Sequence, residues 1–339
     1  MMLPDVVLSV RNLSVVFHTP DGDVVAVNDV SFDLRSGETL GIVGESGSGK
    51  SVTASSILRL NNSSTASTTG QIFVSGVDVL SADESDVRRI RGSEVAMIFQ
   101  DPLSALNPYY TVGKQITEAY LVHHPDASKD DARSVTLEML KKVGIPNPEK
   151  RIDEFPHQFS GGMRQRIVIA IALINNPKVL IADEPTTALD VTVQAQILDL
   201  MKELQTEFKM AIVLITHDLG VIAEAALDVL VMYGGRIVER SSVDALFSEP
   251  AHPYAWGLLG AVNSLSNSSR GALVTIAGSP PSLIDLPKGC SFNPRCSHAF
   301  EKCSTQVPIL RSVGTLGSVT ACHLPDETIL SLGRKAAAQ

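Results

Sequence analysis

Apolar residues alternate or run together over residues 6–17 and 24–34, with Asp21, Gly22 and Asp23 between them. This is the pattern of two antiparallel strands joined at a turn. A shorter continuous apolar run, residues 39–43, breaks into the loop Gly44-Glu45-Ser46-Gly47-Ser48-Gly49-Lys50-Ser51, and a helix-compatible pattern follows over residues 52–60. A strand that opens through a glycine loop into a helix leaves the first amides of that helix free to meet a phosphate. The polar, Ser- and Thr-rich residues 61–69 predict a surface loop, residues 71–74 a short strand, and residues 85–90 a helix whose Arg88, Arg89 and Arg91 form a solvated face. Residues 93–99 then read as an apolar strand that delivers Gln100 at its end.

From about residue 103 to 174 the period becomes helical. Ala132, Val135, Met139, Leu140 and Val143 fall on one helical face, with Asp130 and Asp131 in the first turn, Lys141 and Lys142 in the last, and Gly144 beyond. Pro146, Pro148 and Pro156 interrupt the chain before Phe159-Ser160-Gly161-Gly162-Met163-Arg164-Gln165-Arg166 opens an apolar helix that closes by Pro177. Residues 178–183 (KVLIAD) and 211–218 (AIVLITHD) are continuous apolar runs separated by a helical pattern over 191–207. Such runs fit parallel strands covered on both faces. Residues 227–239, broken at Gly234-Gly235, predict a closing hairpin. Residues 263–270 read as a polar linker, and the chain past Asp326 is expected to fray. The expected divisions are therefore a domain over 1–262 with a helical subdomain near 103–174, a loop-rich C-terminal domain over 263–326, and a flexible tail over 327–339.

A chain of 339 residues has room for a large α/β domain and a smaller appendage. Asp and Glu outnumber Lys and Arg by 37 to 28, a net charge of -9 that argues against nucleic acid as a partner. The longest apolar stretches, such as residues 167–174, fall well short of the roughly 18 residues a membrane-crossing helix needs. Met1-Met2-Leu3-Pro4-Asp5 lacks the basic-then-apolar order of a secretory signal, so the expected compartment is the cytoplasm.

The candidate chemistry gathers at strand ends. In the glycine loop, Gly44, Ser46, Gly47, Ser48 and Gly49 let the backbone wrap phosphates, Lys50 brings charge to the β and γ phosphates, Ser51 offers a hydroxyl to Mg²⁺, and Val52 continues into the helix. Phe17, near the end of the first strand, is a candidate to stack on adenine, and equally an ordinary strand aromatic. Asp183 and Glu184 emerge together from a strand: the first suits the Mg²⁺ shell, the second a base that orients and deprotonates an attacking water. Gln100 and His217 end two other apolar runs, in reach of metal or water and of the γ phosphate respectively. Ser160-Gly161-Gly162 forms a second anion-binding helix start, far from Lys50 in the chain. Two separated phosphate motifs suggest a nucleotide held between two chains, each lending its second motif to the other's loop.

In this order GESGSGKS, FQDP, FSGGMRQR, LIADEPTTALD and THD resemble the nucleotide-binding subunits of ATP-binding cassette transporters. The resemblance implies a P-loop NTPase cassette: an α/β fold with a mixed sheet core, an antiparallel N-terminal β subdomain and a helical subdomain. It makes Lys50 and Ser51 Walker A residues, Gln100 the Q-loop, Ser160 to Gln165 the signature, Asp183 the Walker B ligand, Glu184 the catalytic base, Asp190 the D-loop and His217 the switch histidine. Phe159 and Met163 depart from the usual LSGGQ. Met163 cannot donate as Gln does, which leaves the phosphate contacts to Ser160 and the glycine backbone. Soluble cassette proteins of repair or translation would need a long heptad insertion or a second cassette, and neither is present. A phosphate-loop kinase or GTPase leaves the SGG helix unexplained.

The finer resemblance, through FQDPLSALNP, PHQFSGGM, DEPTTALDVTVQAQI, HPYAWGLL and GCSFNPRC, is to the oligopeptide and dipeptide importer subgroup. It implies ATP and Mg²⁺, a homologous second ATPase, two membrane permeases with residues 103–110 docking one of them, an external solute-binding protein, and a place at the cytoplasmic membrane face. Nickel, glutathione and other small solutes remain alternative cargoes. Cys290, Cys296, Cys303 and Cys322 are the only cysteines and all lie near the C-terminus. Disulfides are disfavoured in the cytosol and zinc usually takes tighter CxxC pairs, so four thiolates in loops point to an iron–sulfur cluster. The resemblance implies a four-iron cluster there. Zinc, with or without His323, and free structural thiols stay open as alternatives.

Overall fold

A computed structural model of the chain describes residues 5–101, 105–187, 189–266 and 276–338. Leu103 and Ser104, which begin the expected permease-docking surface, and residues 267–270 of the expected linker lie outside these residues. The strands are β1 (Val6–Thr19), β2 (Gly22–Arg35), β3 (Thr39–Val43), β4 (Ala66–Val74), β5 (Val77–Asp78), β6 (Val95–Ile98), β7 (Val179–Asp183), β8 (Ala211–Thr216), β9 (Asp228–Tyr233), β10 (Arg236–Ser242), β11 (Arg311–Val313) and β12 (Ser318–Thr320). They build an antiparallel sheet and a mixed sheet of an α/β fold. The chain forms two compact units, each drawn from several stretches of sequence.

The first unit runs up to Ser9, then Asp33–Glu38 and Phe73–Val213. Its β6 and β7 pair in parallel, Ile98 opposite Ala182, so Gln100 and Glu184 leave the same end of neighbouring strands. Every residue of β7 is buried, as expected of a strand covered on both faces. The helix Lys129–Lys142 begins at Ser128, whose hydroxyl accepts from the Asp131 amide at 3.1 Å, and carries the acidic first turn and basic last turn that its dipole favours. It packs on Val112–Leu121, which packs in turn on Gly161–Leu173. Ile116, Leu140, Ile167, Ile169 and Leu173 are buried. The predicted helical segment is thus seated by an apolar interior rather than by propensity alone.

The second unit comprises Val10–Phe32, Thr39–Ile72 and the chain from Leu214 onward. Here β3 and β9 are parallel, Val43 opposite Val231, while β9 with β10, β10 with β12 and β11 with β12 are antiparallel. A core of Val43, Ile222, Val229, Val231, Tyr233, Tyr254, Leu259 and Phe292 joins strand, helix and C-terminal loop. Two expectations are corrected. The polar stretch before residue 71 is not all loop, because β4 starts at Ala66, whose buried side chain begins a strand that is mostly exposed until Ile72 and Val74 are buried at its far end. The chain past Asp326 is not frayed: Asp326–Ala337 is a helix with Ile329 and Gly333 buried. Ile329 joins Trp256, Ala251 and Val313 in a satellite core that tail composition alone does not reveal.

Candidate functional site

In the second unit the glycine loop is shaped by lack of room. A Cβ on Gly44 would stand 2.3 Å from the Met232 carbonyl oxygen, and one on Gly49 2.4 Å from that of Ala26. Gly49 also holds φ at 101°, in the left-handed region where side chains are strained. The helix Lys50–Ile57 follows it with no side-chain cap, as at helix starts that meet an anion. Lys50 is 6% exposed, and its ammonium donates to the Gly44 carbonyl at 2.7 Å and the Glu45 carbonyl at 2.9 Å. The loop therefore holds its cation folded onto its own backbone. Ser51 is exposed and Val52 half-buried. Phe17 is half-buried near the end of β1, and His217, exposed, follows β8 directly.

In the first unit Asp183 is buried at the end of β7. Glu184 takes φ 49°, a strained conformation for a non-glycine residue and one that cores seldom tolerate away from functional sites. One of its carboxylate oxygens, Oε2, accepts from Gln100 Nε2 at 2.8 Å and from Thr187 Oγ1 at 2.8 Å. The hydrogen bond brings Gln100, expected only to reach metal or water, directly onto a strand-end carboxylate. Thr187 was not singled out from sequence, although its place three residues after Glu184 was visible.

Ser160 caps Gly161–Leu173, accepting from the Met163 amide at 3.4 Å, and Asp190 caps Val191–Phe208, accepting from the Val193 amide at 3.0 Å. The two glycines after Ser160 have different reasons. A Cβ on Gly162 would fall 2.6 Å from Val193 Cγ1, whereas Gly161 has only Leu189 at 3.8 Å and an exposed backbone. Gly162 lets two helices approach, and Gly161 keeps the tip open. Arg151 lies 3.7 Å from Met163 Sδ, bringing a cation beside the position where the usual signature has Gln.

Cys290, Cys296, Cys303 and Cys322 line one small cavity, walled by Phe292, His252, His298, His323 and Leu324. No pair is disulfide-bonded. Burial pushes the thiols of Cys290 and Cys322 up to about 11 and raises Cys296 as well, with the neighbouring thiols adding to the effect. Among the described residues, no group of three or more His, Cys, Asp or Glu side chains is drawn close enough to hold a metal ion. The fold brings the four sulfurs to one place, but in this conformation it gives neither the expected iron–sulfur cluster nor zinc a formed ligand set.

The family profile described as ABC transporter matches residues 27–187, and that of the oligopeptide/dipeptide transporter C-terminal region matches residues 238–303. The oligopeptide transport ATP-binding protein OppD of Escherichia coli is 49% identical over 96% of this chain and 95% of its own. The dipeptide transport ATP-binding protein DppD of Lactococcus lactis is 52% identical over 88% and 85%. The chain belongs to the ABC transporter family. Solved structures agree: an ATP-binding cassette dimer in a post-hydrolysis state with ADP and phosphate superposes with a TM-score of 0.62 at 26% identity, over 70% of this chain and 98% of that one. The cassette cbiO1 of Clostridium perfringens, part of an ABC transporter complex, gives 0.62 at 28%, over 72% and 92%. The chain is an ATP-hydrolysing cassette of this family, carrying the family's oligopeptide/dipeptide-type C-terminal region. Among the described residues no helix is long and apolar enough to cross a membrane.

Proposed function

We propose that this cassette is an ATPase subunit of an importer for dipeptides or oligopeptides, working at the cytoplasmic membrane face beneath two permeases fed by an external solute-binding protein. The observation that carries this reading is identity near one half to oligopeptide and dipeptide transport ATP-binding proteins over almost the whole chain, C-terminal region included. In this reading Gly44, Ser46, Gly47, Ser48, Gly49, Ser51 and Val52 line the cradle for the phosphates, Lys50 leaves its loop carbonyls for them, and Phe17 stacks on adenine. Ser51, Gln100 and Asp183 would hold Mg²⁺, which supplies charge at the phosphates when bound. Glu184, oriented through Thr187 and Gln100, accepts the proton of the attacking water, and His217 contacts the γ phosphate. Ser160, Gly161, Gly162 and Asp190 serve the nucleotide of a homologous second ATPase, so binding closes the pair and hydrolysis reopens it. Residues 1–262 would form the cassette and 263–326 the C-terminal domain.

The test is reconstitution of the cassette with the permeases encoded beside it and their binding protein in vesicles. Peptide should stimulate phosphate release, and Glu184→Gln should retain ATP binding while lowering turnover by roughly a thousandfold, the scale of losing a positioned base and its charge stabilisation. Stimulation by nickel or glutathione but not peptide would replace the cargo. Undiminished turnover in the Glu184→Gln protein would remove the assigned base.

We further propose that Cys290, Cys296, Cys303 and Cys322 hold a [4Fe-4S] cluster. The donor set is all sulfur, shares one cavity and is shielded by Phe292 and Leu324, which suits a soft, thiolate-bound group. Once bound it would cross-link loops that have little apolar interior of their own. Anaerobically purified protein should be brown, with iron and sulfide in equal amounts, and Cys303→Ser should bleach it. Stoichiometric zinc without colour would assign that metal instead, and neither would leave structural thiols.

A further inference from the structure

The cysteine-bearing segment touches the phosphate loop directly. The turn Asn293–Arg295 lies between Cys290 and Cys296, and its Arg295 grips Glu45, the second residue of the glycine loop, through two parallel hydrogen bonds of 2.6 and 3.1 Å. The guanidinium is fully committed. It donates also to the carbonyls of Ala277 at 2.9 Å and Ile276 at 3.3 Å, and to the Tyr233 hydroxyl at 3.3 Å. The Arg295 side chain is only 6% exposed, against 25% for Glu45. A planar fork held on every edge fixes the carboxylate in position as well as in charge.

Glu45 is fixed a second time through its backbone, because its amide donates to the Tyr254 hydroxyl at 2.7 Å. Tyr254 and Tyr233 both lean on Phe292, at ring separations of 5.4 and 5.1 Å, and Phe292 walls the cysteine cavity. Both tethers of Glu45 therefore lead back to the same segment. The carbonyl of Glu45 is one of the two that hold the Lys50 ammonium. A displaced Glu45 would carry with it the anchor of the residue that must meet the phosphates.

We propose that Arg295 is a positioning residue for the phosphate loop, so that the affinity for ATP depends on the fold of the cysteine segment some 250 residues further along the chain. The proposal rests on reading the Lys50 loop as the ATP site. It accounts for a part-buried ion pair that a purely local loop would not need: removing Glu45 leaves the enclosed Arg295 guanidinium without its carboxylate. The pair acts on where Lys50 starts, not on the reaction at the γ phosphate.

Binding of Mg·ATP to the full chain by calorimetry, together with steady-state hydrolysis, tests it. Arg295→Ala should raise Kd and KM for ATP roughly tenfold, the scale of one charge-assisted pair, while kcat at saturating ATP stays within about twofold. Glu45→Gln, which leaves the C-terminal segment unaltered, should reproduce the shift even if Arg295→Ala folds poorly, and Arg295→Lys should recover part of it. The double variant should be no worse than either single one. Cys303→Ser should raise Kd in the wild-type background and not in Arg295→Ala. Wild-type ATP affinity in folded Glu45→Gln, a fall in kcat at unchanged KM, or equal effects of Cys303→Ser in both backgrounds would overturn the clamp. Binding that survives Lys50→Ala would instead show that the loop was misassigned.

Discussion

The glycine loop and the cysteine segment meet in the same unit, yet they are specified by opposite means. The loop is marked by its own residue types: Gly44 and Gly49 sit where any side chain would strike the backbone oxygens of Met232 and Ala26, and Lys50 folds onto carbonyls five and six residues away. The cysteine segment is held by partners scattered over the chain, among them Glu45, Tyr233, His252 and Tyr254. A site written in backbone geometry announces itself as a spacing motif. One written in side-chain packing shows only its reactive atoms, and leaves its architecture to be found.

The contrast can be broken most forcefully at Phe292, which is 4% exposed and touches Tyr233, Tyr254 and His252. Phe292→Ala should cost about 3–5 kcal/mol, the usual range for emptying such a site, and thermal melting will show it. A loss under 1 kcal/mol would mean the segment is held by something other than packing. Gly49→Ala should cost about 2–3 kcal/mol from strain and overlap, and should abolish nucleotide binding even in protein that remains folded. Retained binding would show that the loop tolerates a shifted backbone.

A titration sharpens the comparison next. Glu239 on β10 is fully buried, accepts from the Ala251 amide at 2.9 Å, and is pushed up to about 8 because burial outweighs its hydrogen bonds. A carboxyl with a raised folded pKa keeps its proton to higher pH than the unfolded chain does. It therefore favours the fold at low pH, and that contribution is lost as pH climbs from about 4.5 to about 8. Melting temperatures of wild type and Glu239→Gln should diverge across this window, with the variant flatter. The smallest effect belongs to Ser160→Ala, which removes one helix cap and should cost about 1 kcal/mol, visible in chemical denaturation.

The parts legible in sequence are those governed by short range. β3 and β7, the helix from Ser128, and the loop from Gly44 to Ser51 follow from run length, capping residues and glycine spacing. Gln100 and Glu184 were identified separately, and parallel pairing of β6 with β7 explains why they meet. Arg295 and Tyr254 were not legible, because nothing local distinguishes an arginine beside a cysteine, or a tyrosine in an apolar helix, from ordinary surface and core residues. The same holds for the last helix: its stripe of Ile329 and neighbours is short, and only the presence of Trp256 beneath it makes burial favourable.

That terminal helix has a practical consequence. Gly333 lies so close to the Pro250 carbonyl that a Cβ there would overlap it at 2.2 Å, Trp256 Nε1 donates to the same oxygen at 2.7 Å, and Arg334 pairs with Glu249. Cys322 packs against the cluster this helix covers. Proteolytic clipping or a rigid fusion that pried the helix away would uncover tryptophan and loosen a wall of the thiol chamber. The helix thus works as a stopper, and intrinsic tryptophan fluorescence would report whether it is seated.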